Sequence, residues 1–167
     1  MINSERELED YICEHQDEFI EKLKSVFNAK NIKFVGRQIK IGNDNIADLV
    51  YVMYASVDVP IQELIIVELK YRKLMCKDLA QIARYISTIS EKDEYINFEN
   101  VYGCFVSFGC SEEMMDICKL MENIKFISLE CNFNYEQESY KYSEEYLKEI
   151  NLDNRLKKYM IDESDIS

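Results

Sequence analysis

Residues 63–71, with the sequence ELIIVELKY, constrain the fold more than any other part of the chain. The apolar run from Leu64 to Val67 has the length and composition of a short strand. Both alternating faces of such a strand are apolar, so both must be covered, as in the central strand of an α/β protein. Glu68 and Lys70 end the run, and the alternation of a strand places them on the same face. The stretch therefore predicts a buried central strand that ends in a charged pair.

Around this strand, the hydrophobic period changes along the chain in an ordered way. Residues 4–27 show helical spacing, with a capping-box pattern at Ser4 and Glu7 and a polar run at 14–18 that divides the helix. The turn sequence GNDN then joins two β-branched and aromatic runs into a predicted hairpin. The predicted strands are 32–41, 46–54, 63–71, 101–108 and 124–130, and the later predicted helices are 77–90, one capped by Ser111, and about 143–160.

This order of elements predicts an α/β sandwich with a mixed central sheet of about five strands and helices on both faces. The chain has 167 residues, of which 47% are apolar, and this suits one domain with a sizeable core. We expect a single domain over residues 1–160 and a frayed C-terminal tail over residues 161–167.

The composition excludes several kinds of site. His15 is the only histidine, which removes His-pair acid–base chemistry. The six cysteines include no C-x-x-C pair and lie mostly in apolar segments, so we expect reduced, packed thiols. No apolar run reaches the roughly 20 residues that span a bilayer, and no secretory signal is visible. We therefore expect a cytoplasmic protein without membrane contact.

Asp48, Glu68 and Lys70 are the residues that most strongly suggest a catalytic site. Asp48 lies on the predicted strand before Glu68, and the two carboxylates approach each other if those strands are neighbours. Two close carboxylates repel each other, and a hard divalent cation relieves that repulsion while keeping waters for a phosphate. Lys70 beside them can hold an anionic oxygen or a water. The plain alternative is a salt-bridged strand end next to a solvated aspartate.

The ordered pattern resembles the PD-(D/E)XK nuclease superfamily, in which Asp and Glu-x-Lys lie on a hairpin between an acidic helix and a helix that carries glutamine. The matching segments are ERELE, IADLV, VELK and QIARY, within residues 4–90. They are most similar to RecB-like, Holliday-junction-resolvase-like and mismatch- or flap-endonuclease-like domains. Two departures are the inserted segment ASVDVPIQ and Ala47, where the superfamily commonly has proline. The resemblance implies a restriction-endonuclease-like three-layer sandwich.

The resemblance also implies an activity, that of a nuclease that uses Mg²⁺ or Mn²⁺ to hydrolyse phosphodiester bonds in DNA. Lys70 would stabilise the attacking water or the developing charge, and Gln81 would orient substrate or water. The third metal ligand is Glu5, with Glu9 one turn further as the alternative. The implied catalytic residues are Asp48, Glu68, Lys70, Gln81 and Glu5, and the implied metal ligands are Asp48, Glu68 and Glu5.

The net charge of −12 has the wrong sign for a nucleic-acid-binding protein, so its distribution matters. Residues 32–85 carry eight basic and six acidic side chains, a local net charge of +2. This stretch supplies the predicted nucleic-acid contacts, which are Arg72, Lys73, Lys77, Arg84, Tyr85 and Arg37. Ordinary solvated charge is the alternative for the cations, a solvated helix face is the alternative for Gln81, and a position at the edge of the core is the alternative for Tyr85.

A second hypothesis belongs to another class of protein. An acidic nuclease fold without strong catalysis could serve as an interaction module, either an inhibitor or a subunit that binds a basic protein surface. A homodimer that aligns two basic patches, or a larger assembly, also stays open. Divalent-cation binding separates the enzyme from the module.

Overall fold

The computed structural model of the chain describes residues 2–54, 62–91, 98–129 and 147–150. Helices and strands follow one another in these ranges largely as the hydrophobic pattern predicts. The helices are α1 Glu5–Glu14, α2 Gln16–Phe27, α3 Cys76–Glu91 and α4 Glu112–Lys119. The strands are β1 Asn31–Ile41, β2 Asn45–Tyr54, β3 Gln62–Lys70, β4 Phe98–Ser107, β5 Ile124–Leu129 and β6 Leu147–Ile150.

Local hydrogen bonds explain where the first two helices begin and end. The Ser4 side chain accepts a hydrogen bond from the backbone N–H of Glu7 and so caps α1, as the sequence predicts. His15 separates α1 from α2, which confirms the break predicted from the polar run. α2 ends at Asn28, whose left-handed conformation, with φ at 49°, is a common way to terminate a helix.

The described strands form one sheet of six strands, in the order in which they occur along the chain. β1, β2 and β3 pair antiparallel, β4 and β5 continue parallel to β3, and β6 is antiparallel to β5. The helices α3 and α4 connect the parallel strands and pack on one face of the sheet, while α1 and α2 pack on the other. The three-layer α/β sandwich with a mixed sheet is therefore confirmed.

Each face of the sheet has its own hydrophobic core, and β3 contributes to both. Ile65 and Val67 pack beneath α1 and α2, whereas Leu64 and Ile66 pack beneath α3 and α4. All four side chains are at most 5% exposed. The prediction of a central strand covered on both sides is confirmed, and the continuous apolar run is its physical cause.

The predicted C-terminal helix over about 143–160 is wrong at residues 147–150, which form β6. This segment pairs with β5, whose outer edge would otherwise leave backbone N–H and C=O groups without strand partners. The tertiary context has overridden a local preference for helix. The rest of the predicted helix and the predicted tail over 161–167 lie outside the described residues, and the domain range 1–160 stays a prediction.

A glycine on β4 determines how closely α3 approaches the sheet. A Cβ atom at Gly103 would lie 2.5 Å from Cδ1 and 2.9 Å from Cγ1 of Ile82, a buried residue of α3. Any larger residue at this position would force the Ile82 side chain to shift. The close packing seats the neighbouring Gln81 over the end of β3.

Two expectations from composition bear on the described ranges. The cysteines at 13, 76, 104, 110 and 118 are free thiols, as predicted, while Cys131 lies outside these ranges. Among the helices that the structure describes, none has both the length and the apolar character needed to cross a membrane.

Candidate active site

Three neighbouring strands bring polar side chains to the same level of the sheet. The β1–β2 register sets Gln38 beside Asp48, and the β2–β3 ladder ends one level before Asp48 and Glu68. Directly opposed residues of antiparallel strands project to the same face, so this register accounts for the proximity of the two carboxylates. The strand register therefore explains why Asp48 and Glu68 lie close together, as the sequence predicts.

The charged pair at the end of β3 forms inside the protein. The Lys70 Nζ donates to Oε1 of Glu68 at 2.9 Å, and the two residues are only 7% and 2% exposed. The Gln81 Nε2 on α3 donates to the same oxygen at 2.6 Å. Gln81 therefore turns toward the carboxylate, and the alternative of a solvated helix face does not describe its position.

Tyr85 supports this arrangement from within the core. Its hydroxyl accepts a hydrogen bond from the Gln81 Nε2 at 2.7 Å and donates to the backbone carbonyl of Ile46 on β2 at 3.0 Å. The residue is 2% exposed, so its ring is not on the surface where a nucleic acid would meet it. Tyr85 occupies the position at the core edge that the sequence left open as its alternative.

Asp48 is held by hydrogen bonds on both carboxylate oxygens. Its Oδ2 accepts from the backbone N–H of Leu69 at 2.8 Å, and its Oδ1 makes a longer contact of 3.4 Å with the Nε2 of Gln38. These contacts join the ends of β1, β2 and β3. They orient the carboxylate, which forms no ion pair of its own with the residues that the structure describes.

The electrostatics of the site reflect burial and crowding of like charges. The pKa of Glu68 is raised to about 7, chiefly by burial and then by the charge of Asp48, against the stabilising contact with Lys70. Burial is also the main cause of the raised pKa of Asp48. For Lys70, burial lowers the pKa, but the hydrogen bond to Glu68 and the surrounding carboxylates outweigh it and the pKa is raised. At neutral pH Lys70 is therefore protonated, while burial and mutual repulsion disfavour the charged forms of Glu68 and Asp48.

The helix α1 brings two further glutamates to the site. Glu9 is 5% exposed, and its Oε2 accepts from the Gln38 Nε2 at 2.6 Å. Glu5 is exposed, and its Oε1 lies 3.4 Å from the backbone N–H of Tyr71, just after β3. An open cleft of about 440 Å³ beside them is lined by Glu5, Arg6, Glu9, Arg37, Gln38 and Asp48. Both candidates for the third carboxylate therefore face the same cleft as Asp48.

The donor set suits a divalent cation that keeps part of its water shell. Within the described ranges, Oε2 of Glu68 and Oε1 of Glu9 are buried and accept no hydrogen bond. The Nε of Arg37 lies 2.6 Å from the latter oxygen, as an ionic contact without hydrogen-bond geometry. Among the residues that the structure describes, no three carboxylate, thiol or imidazole groups are arranged so that they could together hold a metal ion. The open oxygen of Glu68, together with a Glu9 oxygen that is in ionic contact with Arg37, nevertheless matches the way proteins hold Mg²⁺, through one or two carboxylates and several waters.

The predicted nucleic-acid contacts divide into two groups. Arg37 and Arg72 are held by acidic partners, because Arg37 pairs with Glu9 and with Asp10, and Arg72 forms two hydrogen bonds of 2.8 and 2.7 Å to Asp78. Lys73, Lys77 and Arg84 are exposed, the first just after β3 and the other two on α3. The exposed group is the better placed to meet a phosphate backbone.

Asp78 is the buried partner of Arg72, which lies just after β3. It is 2% exposed, and it accepts from the backbone N–H of Met75 at 2.8 Å as well as from Arg72. Burial raises its pKa, but the hydrogen bonds from Arg72 and Met75 outweigh that effect, and its pKa is lowered. The pair joins the end of β3 to the first turn of α3, and so fixes the helix that carries Gln81.

Sequence reasoning missed Gln38. The residue lies on a strand in which the sequence shows no motif, and its importance depends on a backbone conformation and on contacts with α1 and β2. A glutamine flanked by Arg37 and Ile39 carries no signal that separates it from an ordinary solvated strand residue.

No protein-family model and no curated protein matches the chain. Among solved structures, a repair endonuclease from Pyrococcus abyssi is similar, with a TM-score of 0.55, 22% sequence identity, and coverage of 77% of this chain and 48% of that chain. An EndoMS–dsDNA2 complex is similar over 63% of this chain and 40% of that chain, at a TM-score of 0.41 and 18% identity. The chain thus spans half or less of the length of these structures. The first of them shows that the chain shares the fold of a repair endonuclease.

Proposed function

We propose that this chain, whose fold is that of the PD-(D/E)XK nucleases, is a divalent-metal-dependent nuclease that hydrolyses phosphodiester bonds in DNA. One observation carries the proposal. Asp48, Glu68, Lys70 and Gln81, predicted from their order in the sequence, converge where the start of β2, the end of β3 and α3 meet, with a buried carboxylate oxygen that accepts no hydrogen bond from the described residues. A simple salt bridge at the end of a strand does not account for that open oxygen, because burying an unsatisfied carboxylate oxygen costs free energy.

Asp48 and Glu68 would hold Mg²⁺ or Mn²⁺. When bound, such an ion neutralises charge on the phosphate and lowers the pKa of the attacking water. Glu9 offers a buried oxygen in ionic contact with Arg37 as the third ligand, whereas Glu5 lies close enough for its charge to raise the pKa of both Asp48 and Glu68. Both remain candidates, and a water can connect either one to the ion.

Lys70 acts as a fixed cation in this proposal. Its raised pKa keeps the Nζ protonated at neutral pH, so it cannot accept a proton from water. It can instead donate hydrogen bonds to an oxygen on which negative charge develops. Gln81 holds the shared oxygen of Glu68 and, through Tyr85, ties it to β2. Its role is to orient the carboxylate, and beside it the substrate or water.

The exposed cations Lys73, Lys77 and Arg84 provide a testable contact with the DNA backbone. Replacing all three by glutamine should reduce the slope of log affinity against log salt by up to about 2.7, because each lost phosphate contact is worth roughly 0.9. Fluorescence anisotropy with labelled duplex and branched DNA, on a Glu68→Gln background that does not cut, measures the slope.

The matched control for this experiment changes Lys22, Lys24 and Lys30 to glutamine, which alters the net charge by the same amount at α2 and the turn after it. An equal loss of slope in both triple variants would show that overall charge, rather than a surface beside the active site, governs binding.

The proposal as a whole is tested with the unmodified protein. Supercoiled plasmid, branched DNA and an RNA of the same sequence are incubated with Mn²⁺, Mg²⁺ or EDTA, and Mn²⁺ binding is measured by isothermal titration calorimetry. We expect cleavage of DNA that depends on the metal ion. Absence of both cleavage and divalent binding would contradict the proposal and favour the interaction module, for which the acidic surface is the supporting feature.

A further inference from the structure

Gln38 has a backbone conformation that strand residues rarely adopt. Its φ is 51°, in the left-handed region, although it lies inside β1. Among the described residues, the other non-glycine residue with positive φ is Asn28, which has the ordinary task of ending a helix. Strained conformations of this kind persist where the surrounding structure imposes them, and they concentrate at functional sites.

The conformation has a clear geometric result. Consecutive side chains of a regular strand point to opposite faces of the sheet. Arg37 and Gln38 are consecutive, yet both reach Glu9 on α1, with Arg37 Nε at 2.6 Å from Oε1 and Gln38 Nε2 at 2.6 Å from Oε2. The left-handed φ turns Gln38 out of the normal alternation and allows both contacts.

The same amide nitrogen also contacts Asp48 on β2. Its two N–H groups can serve two acceptors, and Nε2 lies 3.4 Å from Oδ1 of Asp48 in addition to its bond with Glu9. The other oxygen of Asp48 accepts from the backbone of Leu69. Gln38 therefore connects a carboxylate of α1 to a carboxylate of β2 across the wall of the cleft that all three residues line.

We propose that Gln38 is a positioning residue that orients the Asp48 carboxylate, and fixes its separation from Glu9, for binding of the divalent cation. The inference rests on the proposed function, and it extends that function to a residue outside the superfamily pattern of the sequence. Gln38 donates two hydrogen bonds and does not touch the reacting phosphate. Its strained backbone is retained because the regular alternative would point the amide to the face opposite Arg37, and so away from Glu9.

The experiment compares Gln38→Met, Gln38→Gly and Asn28→Gly with the unmodified protein. Gln38→Met keeps the length of the side chain and the strain but removes the donor, whereas Gln38→Gly removes the donor and relieves the strain. Asn28→Gly is the matched control, since it makes the same backbone change at an exposed helix end. Melting temperature without metal, Mn²⁺ affinity by titration calorimetry, and kcat and KM for DNA cleavage are measured for each.

We expect both Gln38 variants to bind Mn²⁺ about 10- to 100-fold more weakly, as for other residues that orient metal ligands. Gln38→Gly should melt about 2–4 °C higher than Gln38→Met, because both variants lack the amide donor and only the glycine releases the strain. Asn28→Gly should leave Mn²⁺ affinity and kcat unchanged. Unaltered Mn²⁺ affinity in both Gln38 variants, with an active parent, would overturn the inference and leave the proposed function intact.

An inactive parent that binds no Mn²⁺ would instead overturn the proposed function. The melting temperatures test separately whether the backbone at Gln38 is held under strain. A higher value for Gln38→Gly than for Gln38→Met supports a conformation held under strain for the sake of the cleft, while an equal or lower value shows that the backbone carries no strain and overturns the inference.

Discussion

Changing Glu68 to glutamine is expected to reduce DNA cleavage by at least about 10³-fold, because the variant loses both a metal ligand and the charge that holds Lys70 in place. The glutamine is close in size to the glutamate, so the contacts with Gln81 and the neighbouring strands remain available. Lys70→Met should cause a loss of similar size by removing the cation while keeping an unbranched side chain. Initial rates of plasmid nicking in saturating Mn²⁺ measure both effects.

The two variants should differ in a second measurement. Lys70→Met keeps both carboxylates, so its Mn²⁺ affinity should stay close to that of the unmodified protein, whereas Glu68→Gln should bind the ion at least about tenfold more weakly. Glu63→Gln serves as the control, because Glu63 is also buried on β3 but contacts Asn100 and Tyr102 at the opposite end of the strand. Full activity in Glu68→Gln and Lys70→Met would remove these residues from the mechanism.

Much of this site could be predicted from the sequence because its parts lie on elements with strong local signals. The apolar run of β3 identifies a central strand, and its alternation places Glu68 and Lys70 together. The turn sequence GNDN makes β1 and β2 a hairpin, and that hairpin sets Asp48 beside β3. Register and burial are therefore encoded locally in this part of the chain.

Other features depend on contacts between elements that no local pattern reveals. The role of Tyr85 as a buried support, rather than a surface contact, follows from the packing of α3 against β2. The pairing of Arg72 with Asp78 requires the chain to turn between β3 and α3. β6 forms where local preference indicates a helix, because a free sheet edge offers hydrogen bonds that only the folded chain presents.

The stability of the metal-free protein is expected to fall as the pH rises from about 4.5 to 7. The pKa of Glu68 is raised to about 7 in the folded chain, chiefly by burial and then by the charge of Asp48. The folded state therefore binds this proton more tightly than the unfolded state, and stability is lost as pH increases through that window, by on the order of 2–3 kcal/mol. The raised pKa of Asp48 acts in the same direction, while the lowered pKa of Asp78 affects stability only at more acid pH.

Urea unfolding in EDTA at several pH values between 5 and 8 measures this loss, and Glu68→Gln should flatten the profile because it has no proton to release. Adding Mn²⁺ should reverse the trend, since the ion competes with protons for the same carboxylates and binds best when they are charged. At a Mn²⁺ concentration of about 100 times its Kd, the gain in unfolding free energy is about 2.7 kcal/mol. A larger gain at pH 8 than at pH 5.5 is the signature of a cation seated on the carboxylates of this site. Stability in EDTA that is flat or rises over this range, with no response to Mn²⁺, would mean that Glu68 is already compensated within the protein and has no metal ion to hold.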